Sequence, residues 1–198
     1  MLPLDFVIAA LPRSGTRYTS RLFRGLGIQT YHERFFKGCR QIYEHEEEKV
    51  VGDVSWYAAP FLDRLPQTTV VLFQKRDMVD TLNSMWGPPG TDGILCLDNP
   101  PGRFVKRYCP EVFEKESKEE QYIEFYTRWT ALIQNHATVV YDVTDLADPT
   151  FCNTIIKAAT KQDIPIEDVR LGLTRVQSKD HTRGPNVEWA SAYLEEVK

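Results

Sequence analysis

The stretch that decides the fold is LDFVIAALPRSGTRYTSRLF, which runs from Leu4 to Phe23. Its apolar segment, Phe6 to Leu11, has the length and composition of a buried β-strand. The strand ends at Pro12, and a helix is expected from about Tyr18 onward. When a tight glycine turn joins a strand to a helix, several backbone N–H groups point at one place and can bind a phosphate or sulfate group. The stretch therefore predicts an anion-binding loop.

The turn of this loop carries side chains that suit an anion. Gly15 allows the backbone to approach a ligand closely. Ser14 and Thr16 add hydroxyl donors. Arg13 and Arg17 add positive charge on either side of the glycine. An ordinary strand-to-helix turn with surface arginines is the alternative interpretation.

The loop differs from the nucleotide-triphosphate motif G-x-x-x-x-G-K-[ST]. Ala10 stands where that motif has its first glycine, and Thr16 stands where it has lysine. The positive charge comes before the glycine, at Arg13. These departures count against one alternative function, a small P-loop kinase that acts on a metabolite.

The length and composition favour one globular domain. The chain has 198 residues and a formal net charge of −4 at pH 7. That length suits a single α/β domain over 1–198, and the acidic balance argues against a nucleic-acid partner. No apolar run reaches the about 18 residues of a membrane span. The four cysteines form no C-x-x-C pair, which is typical of reduced thiols rather than of a metal site. We therefore expect a cytoplasmic protein without a membrane span.

A second strand-to-helix junction lies further along the chain. Thr69 to Gln74 is a continuous apolar run of the kind found in parallel sheets. It ends in Lys75-Arg76-Asp77, and a helix is expected from Met78 to about Trp86. Ligand groups in such sheets gather at the carboxyl ends of the strands, so Arg76 is a candidate binding residue.

These two junctions resemble the cofactor motifs of sulfotransferases that use 3′-phosphoadenosine 5′-phosphosulfate (PAPS). PRSGT, from Pro12 to Thr16, is similar to the family's 5′-phosphosulfate loop P-[KR]-S-G-T, with a bulky residue two positions later at Tyr18. Arg76, Asp80 and Ser84 are similar to the family's 3′-phosphate pattern R-x-P-x-D-x-x-x-S, with methionine in place of the turn proline.

The resemblance implies a fold and an activity. The fold is α/β, a single three-layer domain whose central, mainly parallel sheet is flanked by helices, like that of P-loop NTPases. The activity is transfer of a sulfuryl group from PAPS to a hydroxyl or amine of a small-molecule or carbohydrate acceptor by in-line displacement. Adenosine 3′,5′-bisphosphate is the product, and no metal is required. A non-catalytic relative that keeps the nucleotide site is a further alternative.

The resemblance also assigns residues to cofactor binding. A basic segment late in the chain matches the family less closely and would close over the cofactor. The residues so implied are Arg13, Ser14, Gly15, Thr16, Arg17 and Tyr18 for the 5′-phosphosulfate, Arg76 and Ser84 for the 3′-phosphate, and Lys179 and Arg183 for the closing segment.

Sulfuryl transfer needs charge stabilisation on the leaving oxygen and a base that takes the acceptor proton. Arg13 is expected to stabilise that oxygen without donating a proton, because a guanidinium does not readily lose one. Asp53, at the end of the third expected strand (Lys49 to Val54), is the first candidate for the base by its position in the family pattern. His32 and Glu33, after the second strand, are its rivals. A structural Asp53 that caps the following helix is the alternative.

Two other segments complete the prediction. Gly87 to Pro110 is rich in glycine and proline and predicts a loop or lid, to which the resemblance gives acceptor recognition. Glu119 to Gln134 carries an aromatic stripe at helical spacing, which predicts a helix with one buried face. Carbohydrate, lipid, small phenol and peptide tyrosine all stay open as acceptors.

Overall fold

The computed structural model describes residues 4–36, 51–87 and 93–176. The expected closing residues, Lys179 and Arg183, lie outside these ranges. The described residues form two compact units. The first contains those up to Arg76 and from Leu132 onward, and the second contains those between Asp77 and Ala131. Within the described ranges, no helix is long and apolar enough to cross a membrane.

A five-stranded sheet with all strands parallel forms the centre of the first unit. The strands lie in the order β2-β3-β1-β4-β5. They are β1 (Phe6–Ala10), β2 (Gln29–His32), β3 (Val51–Ser55), β4 (Val70–Lys75) and β5 (Val139–Asp142). The predicted α/β class with a parallel sheet is confirmed.

Helices flank this sheet, consistent with the three-layer α/β arrangement that was expected. In chain order the helices of both units are α1 (Thr16–Gly25), α2 (Met78–Trp86), α3 (Pro100–Tyr108), α4 (Lys118–Gln134), α5 (Pro149–Thr160) and α6 (Ile166–Val176). The 3₁₀ helices within the described ranges are Trp56–Arg64, Pro110–Glu114 and Val143–Ala147. In the first unit, α6 packs against both α1 and α5, and the three helices share a core with the sheet.

The core of the first unit lies between the sheet and these three helices. Phe6 and Ile8 of β1 are fully buried there, beside Ile156 of α5 and Val169 of α6. Each such side chain stabilises the fold by roughly 1.5–3 kcal/mol. Gly52 of β3 makes room for the Phe6 ring, because a Cβ at position 52 would lie 2.0 Å from it. The apolar run of β1 therefore holds the central position in the sheet.

The turn after β1 lies at the point in the sheet where successive strands switch from one side of β1 to the other. From β1 the chain builds β2 and β3 on one side, and then it crosses to β4 and β5 on the other. Ligands in such sheets bind outside the carboxyl ends of the strands at this point. The ends that meet here are residues 11–15 after β1, His32 at the end of β2 with Glu33 after it, and Lys75 at the end of β4 with Arg76 after it.

The described part of the second unit contains helices and no strand. The aromatic stripe of α4 faces its interior, since Tyr122, Phe125 and Trp129 are completely buried. The hydroxyl of Tyr122 donates a hydrogen bond to the Met85 carbonyl at 3.2 Å. The predicted helix with one buried face is confirmed.

The segment from Gly87 to Pro110 departs from its prediction, because it contains α3. The Asn99 side chain caps this helix by accepting a hydrogen bond from the Gly102 N–H at 2.8 Å. Prolines occupy the first helical positions, where the missing N–H has no helical partner to lose. The loop prediction was therefore wrong for this part of the segment.

Candidate functional site

The turn between β1 and α1 takes a backbone path that few residues adopt. Arg13 has φ +68° and Gly15 has φ +83°, both in the left-handed region, and the Ser14 N–H donates to the Leu11 carbonyl at 3.3 Å. A left-handed conformation costs a non-glycine residue roughly 1–2 kcal/mol, so the fold must hold Arg13 in place. Such over-determined strain is typical of ligand-binding turns.

The N-terminus of α1 presents backbone N–H groups at this turn. Gly15 is the N-cap residue, and no side chain in the described ranges caps the helix. No acidic residue lies in the first turn, which begins at Thr16, and Arg13 and Arg17 are exposed beside it. Since a helix N-terminus carries partial positive charge, these groups together favour an anion at the turn.

A buried glutamine lies under this turn. Gln74, near the end of β4, is completely buried. Its Nε2 donates to the Ser14 carbonyl at 2.5 Å. Its Oε1 accepts from the Thr19 hydroxyl at 2.5 Å and from the Tyr141 hydroxyl at 3.0 Å. Gln74 was not predicted as a site residue, although a polar residue at the end of an apolar strand is a signal that could have identified it.

Arg76 contacts the same turn from the end of β4. Its Nη1 donates to the carbonyl oxygen of Arg13 at 3.0 Å, and the side chain is half-buried. The residues that carry the two sequence motifs, 63 positions apart, are therefore in direct contact. This bond also fixes the carbonyl of the left-handed residue.

The end of β2 brings a histidine and a glutamate to the turn. His32 Nε2 lies 3.0 Å from the Thr16 hydroxyl and 3.6 Å from Glu33 Oε1. Both side chains are about one-fifth exposed, at 22% and 20%. Glu33 has φ +55°, a further left-handed position in addition to Arg13 and Gly15. Groups that could exchange a proton with a bound acceptor are thus adjacent to the loop.

Asp53 differs from these two because it is completely buried. It accepts hydrogen bonds from the N–H groups of Arg34 at 3.4 Å and Phe35 at 3.3 Å. Burial raises its pKa to about 6, while those N–H groups act in the opposite direction and the nearby charge of Glu33 raises it further. Ser55, not Asp53, caps the 3₁₀ helix that follows β3. Asp53 instead caps the turn that carries Glu33.

The other expected cofactor residues have varied surroundings. The half-buried Tyr18 ring packs against the core of the first unit, and burial, followed by the nearby Cys152, raises its pKa. Ser14 is buried, and its hydroxyl has no hydrogen-bond partner in the described part of the chain. Ser84 lies half-buried on α2 in the second unit. The expected roles of these residues stay predictions.

Comparisons with known proteins do not assign this chain to a family. No protein-family model matches the chain, and no curated protein matches it. In residues 4–36, 51–87 and 93–176, no group of three or more histidine, cysteine or acidic side chains is arranged to hold a metal ion.

Proposed function

We propose that this chain is a PAPS-dependent sulfotransferase. The observation that carries the proposal is the bond between Arg76 and the Arg13 carbonyl, because it joins the two motifs on which the family resemblance rests. Both motifs follow strands that meet at the change of direction in the sheet, where ligands of such folds bind. The fold alone would be compatible with many activities.

The turn fits the anionic end of PAPS in its chemistry. The uncapped start of α1, the hydroxyl of Thr16 and the guanidinium of Arg13 supply donors and positive charge with no acidic residue in the helical turn. When bound, PAPS would supply the electrophilic sulfuryl group. Arg13 would stabilise the negative charge that develops on the leaving phosphate oxygen, and Arg76 would bind the 3′-phosphate end.

The base is better assigned to His32 or Glu33 than to Asp53. A base must reach the acceptor proton, and the Asp53 carboxylate is fully buried on two backbone N–H groups. His32 and Glu33 are partly exposed and lie beside Thr16 at the turn. Asp53 would then position the base by fixing the backbone after Glu33. This ranking reverses the order expected from the sequence.

A transfer assay with sulfur-labelled PAPS tests this proposal. The acceptor panel contains a carbohydrate, a lipid alcohol, a small phenol and a tyrosine peptide. The account expects labelled product with at least one acceptor and its loss in Arg13→Ala. The matched control is Arg24→Ala, which removes the same charge from α1 about 12 Å along the helix from Thr16.

Three outcomes would reject the proposal. If the protein binds PAPS but transfers label to no acceptor, and if Glu33→Gln leaves the affinity for PAPS unchanged, a non-catalytic relative is favoured. Binding of ATP with Mg²⁺ in place of PAPS would favour the metabolite kinase. Equal loss of product in Arg24→Ala and Arg13→Ala would show that general charge, rather than the turn, is responsible.

A further inference from the structure

We infer that Gln74 is a positioning residue that keeps the 13–16 turn in its anion-binding conformation. The inference depends on the proposed function in one respect, namely that the 13–16 turn is the site that binds the anion. No sequence motif includes Gln74, and its side chain does not reach the surface. It therefore acts on a ligand through the backbone of the turn.

The hydrogen bonds of Gln74 leave its amide with one favourable orientation. The Thr19 and Tyr141 hydroxyls both lie beside Oε1, and the Ser14 carbonyl lies beside Nε2. If the amide were turned over, its oxygen would face the Ser14 carbonyl, and two acceptors would meet in a buried place. The hydroxyls of α1 and β5 thus direct the N–H of Gln74 at the turn.

The position of Gln74 in the sheet explains why it can support the turn. In register it lies beside Ala10 of β1 and Tyr141 of β5, so it is at the strand ends from which the turn begins. Its Nε2 would also lie 3.4 Å from a Cβ on Gly15. The side chain therefore hydrogen-bonds to Ser14 and leaves little room for a side chain at the next residue, Gly15.

Three variants separate positioning from general stability. Gln74→Leu removes the donor to Ser14, whereas Tyr141→Phe removes only a donor to Oε1 and leaves the bond to the turn. Ile156→Val weakens the core on α5 and serves as the stability control. We expect Gln74→Leu to bind adenosine 3′,5′-bisphosphate at least tenfold more weakly than the natural protein, and the other two to stay within about threefold.

The Gln74→Glu variant adds a second measurement, the pH dependence of nucleotide affinity. A residue with a purely structural role would not affect this pH dependence. A protonated glutamic acid can still donate to Ser14, but an ionised one places a negative charge beneath the anion site. The groups in contact with the side chain are the Ser14 carbonyl and the Thr19 and Tyr141 hydroxyls. Burial raises the pKa of Tyr141 well above its ordinary value, so Tyr141 stays neutral. The ratio of dissociation constants, variant to natural protein, should rise from pH 5.5 to pH 8 on the order of tenfold.

Hydrogen exchange keeps this test separate from the proposed function. The Ser14 amide, which donates to Leu11, should exchange at least tenfold faster in Gln74→Leu than in Ile156→Val. If the natural protein does not bind the nucleotide, the proposed function fails, and this exchange ratio still decides the role of Gln74. The inference would be overturned if the Ser14 amide exchanged equally fast in the two variants. It would also be overturned if the protein binds the nucleotide and the ratio of dissociation constants for Gln74→Glu does not depend on pH.

Discussion

Replacing Gly15 by alanine should destabilise the fold by about 2–5 kcal/mol. The φ of +83° costs a residue with a Cβ roughly 1–2 kcal/mol. The new Cβ would also lie 2.9 Å from Val143 Cγ2, and overpacking of this kind costs about 1–3 kcal/mol. The loss is a large part of the about 5–15 kcal/mol that stabilises a typical domain.

Two other glycines of the same region provide matched controls. Gly27 has φ +82° with open space around it. Gly27→Ala should therefore lower the free energy of unfolding only by the cost of the left-handed backbone conformation, about 1–2 kcal/mol. Gly25 lies in α1 with no atom near its Cβ position, and Gly25→Ala should stabilise the protein by about 0.5–1 kcal/mol. Urea unfolding at equilibrium measures all three values.

A double-mutant cycle isolates the steric share at Gly15. In a Val143→Ala background the clash is removed, so Gly15→Ala should cost about 1–3 kcal/mol less than in the natural protein. If Gly15→Ala costs no more than Gly27→Ala, or if the Val143→Ala background leaves its cost unchanged, then close packing against the 3₁₀ helix is not the reason for glycine in this turn.

Three further predictions concern other residues of the two units. Because the pKa of Asp53 is raised from 3.8 to about 6 in the folded protein, ionising it should cost up to about 3 kcal/mol of stability as pH rises from about 4 to 6. Asp53→Asn should flatten the stability–pH profile in that window, and a profile parallel to that of the natural protein would contradict the account. Asn99→Ala removes the cap of α3 and should lower the free energy of unfolding by about 1 kcal/mol in urea titration, whereas no change would count against that cap. Thr16→Val and His32→Ala should show non-additive effects on nucleotide affinity, since their side chains are 3.0 Å apart; additive losses would show that the pair does not act together.

The strands and the α4 helix could be predicted because their signals are local. Continuous apolar runs identified β1 and β4, and the aromatic spacing identified α4. α3 was missed because Pro100, Pro101 and Gly102 are typical of turns, and only the Asn99 cap with prolines in the first helical positions distinguishes a helix start there.

The site could be predicted in part, for a different physical reason. The turn residues belong to one contiguous motif, so Arg13 and Gly15 were recognisable from sequence. Gln74 reaches Ser14 across 60 residues, and Asp53 reaches Arg34 across 19. Such contacts depend on strand order, which no single stretch of sequence encodes, and for this reason the burial of Asp53 could not be foreseen.

Calorimetric titration of the purified protein with adenosine 3′,5′-bisphosphate would show whether the 13–16 turn and Arg76 form a nucleotide site. We expect micromolar binding that falls by about 10–100-fold in Arg13→Ala and in Arg76→Ala, with Arg24→Ala close to the natural protein. No binding by the natural protein, or binding that is unaffected by either change at the turn, would contradict the proposed function.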